Sequence, residues 1–574
     1  MELIVKSRPR SLIISLVSLA LLATACGTAS PGLIRNEEQE SGQQPLPLPQ
    51  ASTTPTETPL EGIWLSPSLP ALLLNQIQGV VLNQSANANT AAMILAPVDE
   101  SVPGLKLVRE STWVYALVAP FYEIRDGVTD EELQQIWLGR EKGSLAGVKL
   151  VLEASTQAAF VLHWGAPSAN TVQVRKADEL LEATWNESDT WALIPFEAVQ
   201  PKYKILKIDG LSPLDKPLNV ERYPLVMRFG LYTDPQASQT SIEQENVLKT
   251  ALPLTNRDES RMTILIMSGT TALTRATAFK IDLKGADYVI SGVRDWFLAA
   301  DLRHVSNEVS FDPNCPKADP NSASMRFCSQ PSYIEVLKGL GINVVELTGN
   351  HENDYGPEAF AETVKTYQQL GWTTFGGGLT PEDARKPALV ENNGNKIAFI
   401  GCNPVGPANA WVNDRRAGVA RCDPEYYFSQ IKALKEQGYV VVATFQHQEI
   451  YRYMYDEHYR ADFRQAADSG ADIVSGAQAH YPMGFEFRAQ ALIHYGMGNF
   501  LFDQMDYPVV GTRREFIDRH VIYNGRYINT ELLTALLTDY SRPRPMEPEE
   551  RTQFLSDLFD ASGWELDGET HENN

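Results

Sequence analysis

The chain is short of cysteine, histidine and positive charge. Its 574 residues include 5 Cys and 9 His, and 49 Lys and Arg stand against 72 Asp and Glu, a formal net charge of −23. Because binding to a phosphate backbone requires a basic surface, this balance argues against a nucleic-acid partner. The cysteines show no Cys-x-x-Cys spacing, so they give no support to a structural zinc site.

The apolar run near the N-terminus, Leu12–Leu22, is short for a membrane span. Basic residues precede it and small residues follow it, which is the order of regions in a secretory signal. Ala23-Thr24-Ala25-Cys26 resembles a bacterial lipobox, although Ala23 stands where Leu is more usual. We therefore predict that residues 1–26 are a lipoprotein signal peptide and that lipid on Cys26 anchors the protein to the extracytoplasmic side of a bacterial cell membrane. The alternative is simple secretion with a spare thiol at Cys26.

Removing Cys26 leaves an even number of cysteines, which suits an oxidising compartment. Four cysteines allow three pairings. Of these we predict the local ones, Cys315–Cys328 and Cys402–Cys422, each of which would close one loop.

Composition divides the rest of the chain. Residues 27–60 are rich in Pro, Thr, Ser, Gln and Glu, so we predict a disordered tether. Residues 61–250 mix α and β patterns: the strand-like run Trp113–Phe121 precedes a segment, 129–139, with the capping and spacing of a helix. Their order resembles part of a type II solute-binding protein, which implies an N-terminal α/β periplasmic-binding-protein-like domain; the alternative is an unrelated α/β domain. Polar residues 236–257 are expected to connect this domain to the next.

From 258 to 540 helical and strand patterns alternate, which predicts a second α/β domain. The stretch 541–574 is expected to be a peripheral, acidic C-terminal tail with one short helix at Phe554–Phe559.

The most informative stretch of the second domain is residues 347–356, Leu-Thr-Gly-Asn-His-Glu-Asn-Asp-Tyr-Gly. It follows the apolar run Ile342–Val345, so its polar side chains are expected at the carboxyl end of a buried strand, where open α/β sheets place their chemistry. Asn350 offers a neutral oxygen to a cation, and His351 offers a proton donor or a nitrogen ligand. Gly-Asn-His-(Asp/Glu) resembles the signature of two-metal phosphoesterases. The alternative is a polar turn that caps the next helix.

Similar polar clusters follow other predicted strands of the second domain. They are Asn307-Glu308, Gln446-His447-Gln448-Glu449, Gln478-Ala479-His480, and Asn499 with Asp503. Each alone has an ordinary explanation as a solvated or turn-forming residue. Their repeated position at strand ends predicts one convergent site.

The order of these clusters resembles the CapA-like capsule and poly-γ-glutamate synthesis family over roughly residues 263–503. The matching segments are Asn307-Glu308, Asn350-His351 with Asp354-Tyr355-Gly356, His447, residues 468–480, and residues 495–503. The resemblance implies a calcineurin-like, four-layer α-β-β-α metallophosphoesterase fold. It also implies metal ligands at Glu308, Asn350, His447, Gln478 and His480, with His351 as the proton donor.

Two departures from the family pattern concern the metals. Thr270 stands where the family has a metal-binding Asp, and Gln478 stands where it has a His. Losing the Asp removes one charge and one strong ligand, so we expect one divalent ion rather than two, held by Glu308, Asn350, His447 and an oxygen of Gln478. Mixed nitrogen and oxygen ligands suit Mn, Fe or Zn.

Together these features predict a lipid-anchored, extracytoplasmic protein that acts on or holds an anionic envelope polymer, such as poly-γ-glutamate, or a small ligand. Any enzymatic activity would be metal-dependent hydrolysis or transfer of an ester or amide bond. The alternative is a non-catalytic binding lipoprotein with a degenerate site.

Overall fold

The computed structural model describes residues 60–564, except 82, 99, 101–103, 237, 238 and 456. The predicted signal peptide, Cys26 and, apart from Leu60, the predicted tether lie outside these residues. In the described part of the chain no helix is both long and apolar enough to cross a membrane.

The N-terminal half is built on one nine-stranded sheet. Its elements, in chain order, are β1 Ile63–Leu65, α1 Ala71–Gln78, β2 Met93–Pro97, β3 Lys106–Pro120, β4 Gly127–Val128, α2 Asp130–Trp137, β5 Lys149–Leu152, α3 Ala154–Trp164, β6 Val172–Val174, α4 Leu180–Asn186, β7 Thr190–Pro195, β8 Tyr203–Ile208, β9 Val226–Thr233 and α5 Gln239–Ala251. The strand order is β1-β2-β9-β3-β7-β5-β6, and β8 pairs with both β3 and β4.

Local sequence explains the helix predicted after Trp113–Phe121. The Thr129 hydroxyl accepts a hydrogen bond from the Glu132 backbone N–H, and the Glu132 carboxylate accepts one from the Thr129 N–H. This reciprocal capping box starts α2, whose Leu133, Ile136 and Trp137 are buried. The stretch 236–257, predicted to connect the two domains, contains α5, which buries Leu248.

The C-terminal half contains the remaining elements. They are β10 Met262–Ser268, β11 Thr270–Thr271, α6 Arg275–Lys284, α7 Ala286–Ile290, α8 Arg294–Leu298, β12 Leu302–Asn307, α9 Ile334–Gly339, β13 Val344–Glu346, α10 Pro357–Gln369, β14 Thr373–Phe375, β15 Gly377–Gly378, α11 Pro381–Arg385, β16 Ala388–Asn392, β17 Asn395–Cys402, β18 Gly418–Val419, α12 Pro424–Glu436, β19 Val440–Gln446, α13 Glu457–Asp468, β20 Ile473–Ala477, β21 Phe485–Arg488, β22 Ala491–His494, β23 Arg514–Tyr523, β24 Arg526–Thr538, β25 Arg542–Pro545 and α14 Pro548–Asp560.

This half is a mixed α/β arrangement built on two main sheets. The first has the order β14-β13-β12-β10-β23-β24-β25 with β11 on β12, and the second has the order β16-β17-β19-β20-β22-β21. Strands β10, β12, β13 and β14 run parallel, as do β17, β19, β20 and β22. Loops that follow these strands therefore leave the sheets at their carboxyl ends, which is where the predicted site residues lie.

Side-chain alternation along the strands places a core between the two sheets. Leu265 and Met267 of β10 pack in one cluster with Phe399 of β17 and Val442 of β19. The intervening residues point away from the second sheet, and Ile264 among them packs with α7, α9 and α10. The outer face of the second sheet packs with α12 and α13. The layers are therefore helices, sheet, sheet, helices.

The last described segment belongs to the fold, which corrects the expectation of a peripheral tail at 541–574. Strand β25 extends the first sheet by pairing with β24. It lies at the edge of the sheet, where the prolines of Arg542-Pro-Arg-Pro545 are tolerated. Helix α14 is longer than the predicted Phe554–Phe559, and it buries Phe554 and Leu558 against the core between the sheets. Residues 565–574 lie outside the described part of the chain.

The N-terminal sheet packs on the C-terminal half through aromatic and polar contacts, and residues 60–564 lie within one compact unit. Phe121 lies 5.1 Å from Phe487 and 6.4 Å from Phe559, measured between ring centroids. Arg551 of α14 donates two hydrogen bonds, of 2.8 and 2.9 Å, to the carboxylate of Asp126.

A buried polar group interrupts the apolar core between the sheets. His494 Nδ1 lies 2.6 Å from an Asp518 oxygen, and His520 Nδ1 lies 2.6 Å from the Thr530 hydroxyl. Burial lowers the pKa of His520 to about 4; the charge of Asp518 opposes this, while His494 and His304 add to it. The folded protein therefore keeps His520 neutral.

This burial predicts a loss of stability in acid. Unfolded His520 gains a proton near its usual pKa of 6.5, whereas folded His520 resists it down to about 4. Its contribution is complete above pH 6.5 and falls by about 3 kcal/mol as the pH drops from 6.5 to 4. When the free energy of unfolding is measured with urea from pH 6.5 to 4, it should fall less steeply with decreasing pH for His520→Gln than for wild type. The exposed His458→Gln serves as the control, and equal slopes for His520→Gln and wild type would contradict this assignment.

Candidate active site

Glu308 leaves the end of β12 with its side chain buried and unpaired. The residue is 1% exposed, and neither carboxylate oxygen has a hydrogen-bond partner among the described residues. Gly349 lies so close that a Cβ there would be 2.7 Å from the Glu308 Cα, so only glycine lets the Asn350-His351 loop pass. Because an ionised, unpartnered carboxylate is costly to bury, Glu308 is a candidate ligand for a cation.

The nearest cation or ligand group is His480, whose Nε2 lies 3.8 Å from Glu308 and 3.9 Å from Glu449. Its other nitrogen, Nδ1, lies 2.7 Å from Asn499 Oδ1. The Asn499 amide N–H groups donate to the carbonyls of His480 and Thr512, which turns Oδ1 towards the imidazole. Since Oδ1 can only accept, Nδ1 carries the hydrogen, and in the neutral ring the Nε2 lone pair faces the two carboxylates.

His351 is held by a carboxylate of its own loop. Its Nδ1 lies 2.7 Å from Asp354 Oδ2, and the Phe327 ring packs 4.5 Å from the imidazole, centroid to centroid. Burial lowers the pKa of His351, but the hydrogen bond to Asp354 and the negative charges of Glu308, Asp354 and Glu449 outweigh it, so the pKa is raised above 6.5. A raised pKa suits a group that donates a proton.

Asn350 and Gln478 lie on either side of the amide of Gln446. The Gln446 N–H group donates to Asn350 Oδ1 at 3.3 Å and to Gln478 Oε1 in a short hydrogen bond. The Gln478 backbone N–H also donates to the hydroxyl of Thr270 at 3.4 Å. The two positions at which the sequence departs from the family pattern are therefore neighbours.

His447 follows β19 and lines a pocket of about 370 Å³ with Asn350, Glu449 and Gln478. Its Nε2 lies 3.2 Å from Asp462 Oδ2, and its ring packs 4.4 Å from that of Tyr459. Among the described residues His447 Nε2 is buried and makes no hydrogen bond.

The structure brings the predicted residues together in two adjacent groups. One group consists of Glu308 and His480. The other group consists of Asn350, Gln478 and His447. Glu449 touches both. No group of three or more His, Cys, Asp or Glu within the described residues is arranged to hold a metal ion, so any ion here would also need the amide oxygens.

The strand-end clusters of the sequence contain Gln446, Glu449, Asn499 and Asp503, but their pattern assigns none of these residues a specific role. The structure gives each of them a partner at the site. Asp503 pairs with Arg275 through contacts of 2.5 and 3.2 Å and accepts the Ala276 N–H at 3.0 Å. These partners could be found only as members of the strand-end clusters, since each acts on a residue far away in the chain.

Both predicted disulfides are confirmed. Cys315 is bonded to Cys328, and Cys402 is bonded to Cys422. The first closes the loop between β12 and α9, beside His351, and the second ties the end of β17 to the start of α12.

The segment that carries all of these residues has known relatives. Residues 264–504 match the family model described as bacterial capsule synthesis protein PGA_cap. This PGA_cap segment contains every predicted metal ligand, His351, and the Arg275–Asp503 pair. The match supports the CapA-like resemblance for this part of the chain.

Two curated relatives show the same similarity. The chain is 28% identical over 224 residues to the PGA biosynthesis protein CapA of Bacillus subtilis, which covers 38% of this chain and 58% of that protein. It is 25% identical over 260 residues to the capsule biosynthesis protein CapA of Bacillus anthracis, covering 44% and 62%. The chain thus spans about three fifths of the length of these relatives.

Solved structures are less informative. An ABC-type phosphate transport receptor from Vibrio cholerae aligns with a TM-score of 0.29 at 12% identity, covering 33% of this chain and 93% of that chain. Likeness at this level identifies neither a fold nor a ligand, so the solute-binding-protein resemblance of residues 61–250 stays a prediction.

Proposed function

We propose that this protein acts in the synthesis or processing of capsule, poly-γ-glutamate or another anionic envelope polymer, through a metal-assisted hydrolase or transferase site in the PGA_cap segment. The observation that carries this proposal is the buried, unpaired carboxylate of Glu308 facing the Nε2 of His480. The match to PGA_cap and the helix-sheet-sheet-helix layering support a metallophosphoesterase-like fold for this half.

The side chains present fit one divalent ion, and we propose Mn, Fe or Zn. Glu308 supplies an anionic oxygen, and His480 supplies an aromatic nitrogen whose tautomer Asn499 fixes. The amide oxygens of Asn350 and Gln478 and an imidazole nitrogen of His447 would complete the shell. Thr270 brings only a hydroxyl, so a second ion would lack its strongest ligand.

Such an ion, when bound, would polarise an ester or amide oxygen and make a bound water more acidic. The protein supplies the remaining steps. Asp354 orients His351 so that its Nε2 is free to give a proton to the leaving group. The Arg275–Asp503 pair holds the loop after β11 in place, and Phe327, 4.7 Å from the Arg275 guanidinium carbon, shields His351 from water.

The same site also supports a second candidate, a non-catalytic binding module. Gln446 already donates to the oxygens of Asn350 and Gln478, so this amide group is satisfied without a cation. In that case the PGA_cap segment would hold an anionic polymer or a small ligand without turning it over.

Location is a further part of the proposal. We propose that residues 1–26 direct export and that lipid on Cys26 anchors the protein on the extracytoplasmic side of a bacterial membrane. The order of basic, apolar and small residues in the sequence supports this, and the two disulfides fit an oxidising compartment.

Metal content separates the two candidates. Elemental analysis of purified protein loaded with Mn²⁺, Fe²⁺ or Zn²⁺ should give about one ion per chain, because Glu308, Asn350, His447 and Gln478 remain as ligands while the group of Glu308 and His480 lacks the family Asp. Glu308→Gln keeps the shape and removes the charge, so it should lower the content to near zero. Glu358→Gln, an exposed change on α10, is the control.

Other results have distinct meanings. A content near two would show that the loss at Thr270 matters less than we propose. No metal in the wild-type protein, with no effect of a chelator on ligand binding, would contradict the enzyme and favour the binding module.

A further inference from the structure

A second pocket lies next to the site, beneath the loop closed by the Cys315–Cys328 disulfide. Its volume is about 390 Å³, and its lining joins that loop to the start of α6 and to Tyr355, in the turn after His351. The lining contains three cationic side chains, Arg275, Lys317 and Arg326, and one carboxylate, Asp319. A cationic pocket is unusual on a chain whose net charge is −23.

Arg326 is the cation best placed to bind an anion. Its Nε and Nη2 donate to the backbone carbonyl of Asp354 at 3.2 and 2.7 Å, and its guanidinium carbon lies 5.1 Å from the centre of the Tyr355 ring. Among the described residues no carboxylate pairs with Arg326 or with the exposed Lys317. These two cations therefore form no ion pair in the described part of the chain, whereas Arg275 is paired with Asp503.

The pocket and the site share a residue. Asp354 accepts hydrogen bonds from Arg326 at its carbonyl and from the Phe327 N–H and the His351 ring at its carboxylate. Because all of these contacts fall on one turn, an anion bound by Arg326 would lie beside His351. The disulfide restricts the loop that carries Lys317 and Arg326.

We propose that this pocket is a subsite for a carboxylate of the next unit of a polyanionic chain whose reacting bond lies between Glu308 and His351. This rests on the proposed function. The Nε side of Arg326 is held by the Asp354 carbonyl, so a carboxylate would bind to the Nη1–Nη2 end of the guanidinium, and a lysine adds a mobile charge. A γ-linked glutamate chain presents one free carboxylate on every unit, so a cationic pocket beside the site holds the neighbouring unit and sets the register of the bond at the site.

The test measures binding of a γ-linked glutamate oligomer of about ten units to the full chain by calorimetry at low salt. Arg326→Ala should weaken binding by at least about tenfold, since a hydrogen-bonded charge is removed. Lys317→Ala, which removes no hydrogen bond or ion pair within the described part of the chain, should weaken it about threefold. Arg222→Ala, an exposed arginine on the N-terminal half with no ion pair in the described residues, is the matched control and should bind like wild type.

The outcomes separate this proposal from the proposed function. Tight binding by wild type and equally tight binding by both Arg326→Ala and Lys317→Ala would overturn the subsite and leave the function intact. Binding of a polyphosphate of equal charge, but not of the glutamate oligomer, with the same dependence on Arg326, would overturn the carboxylate assignment. Binding of neither polymer would overturn the subsite altogether, and the metal measurement above would still decide the function on its own.

Discussion

Replacing His351 with alanine should lower turnover by about 10²- to 10⁴-fold, which is the range for removing a general acid. The imidazole is oriented by Asp354 and follows Asn350 in the chain, but it is not itself a proposed ligand, so its loss removes the proton donor alone. The assay follows release of a chromogenic leaving group from a phosphate diester, and of glutamate from a γ-linked oligomer, by metal-loaded protein. The fall is expected in kcat, with a smaller change in KM.

Two further variants sharpen this test. Asp354→Asn keeps the size of the side chain but weakens its hold on the imidazole, so a smaller loss of about 10- to 100-fold is expected. The surface change His458→Ala should leave turnover as it is. Full activity of His351→Ala would show that a different group donates the proton, and an inactive wild-type protein would favour the binding module.

Replacing Thr270 with aspartate should make the stability of the protein dependent on metal. Thr270 is 1% exposed and lies next to Gln478, so the new carboxylate would be buried without a partner. In metal-free buffer we expect a loss of about 3 kcal/mol. Excess Mn²⁺ should restore most of it, because binding to the folded state alone is stabilising. Thermal unfolding with and without metal measures both effects.

The double variant Thr270→Asp/Gln478→His extends this experiment by restoring both family ligands. Its metal content should rise from about one ion to two, since a carboxylate is added beside the group of Glu308 and His480 and an imidazole is added to the group of Asn350 and His447. Thr270→Asn, which is neutral and similar in size, is the control and should gain little from metal. If added metal left the melting temperature of Thr270→Asp unchanged, this would show that position 270 does not face an ion.

Much of the C-terminal half follows from local pattern. The strand predicted at Met262–Met267 is β10, Met262–Ser268, and that predicted at Val440–Phe445 is β19, Val440–Gln446. Buried parallel strands show as continuous apolar runs, and the polar residues after them mark their carboxyl ends. Gly349 shows why the motif needs glycine, because a larger residue would collide with the backbone of Glu308.

The rest depends on contacts between distant segments. Gln446 reaches Gln478 because β19 and β20 are neighbours in the sheet, and Arg275 reaches Asp503 across more than two hundred residues. No local pattern encodes either contact. Helix α14, in contrast, carried a readable start, Pro548 followed by two glutamates, that the acidic composition of the C-terminal stretch obscured.

The packing of residues 554–564 on the N-terminal half has a consequence for the order of assembly. Phe559 and Trp564 pack on Phe121, and Trp564 also packs on Trp185. These partners are separated by 379 to 443 residues, so the aromatic surface around Phe121 stays uncovered until late in synthesis or translocation. A chain interrupted before residue 554 would expose this surface to water, to chaperones and to other unfinished chains, and quality control by proteolysis would act on it first.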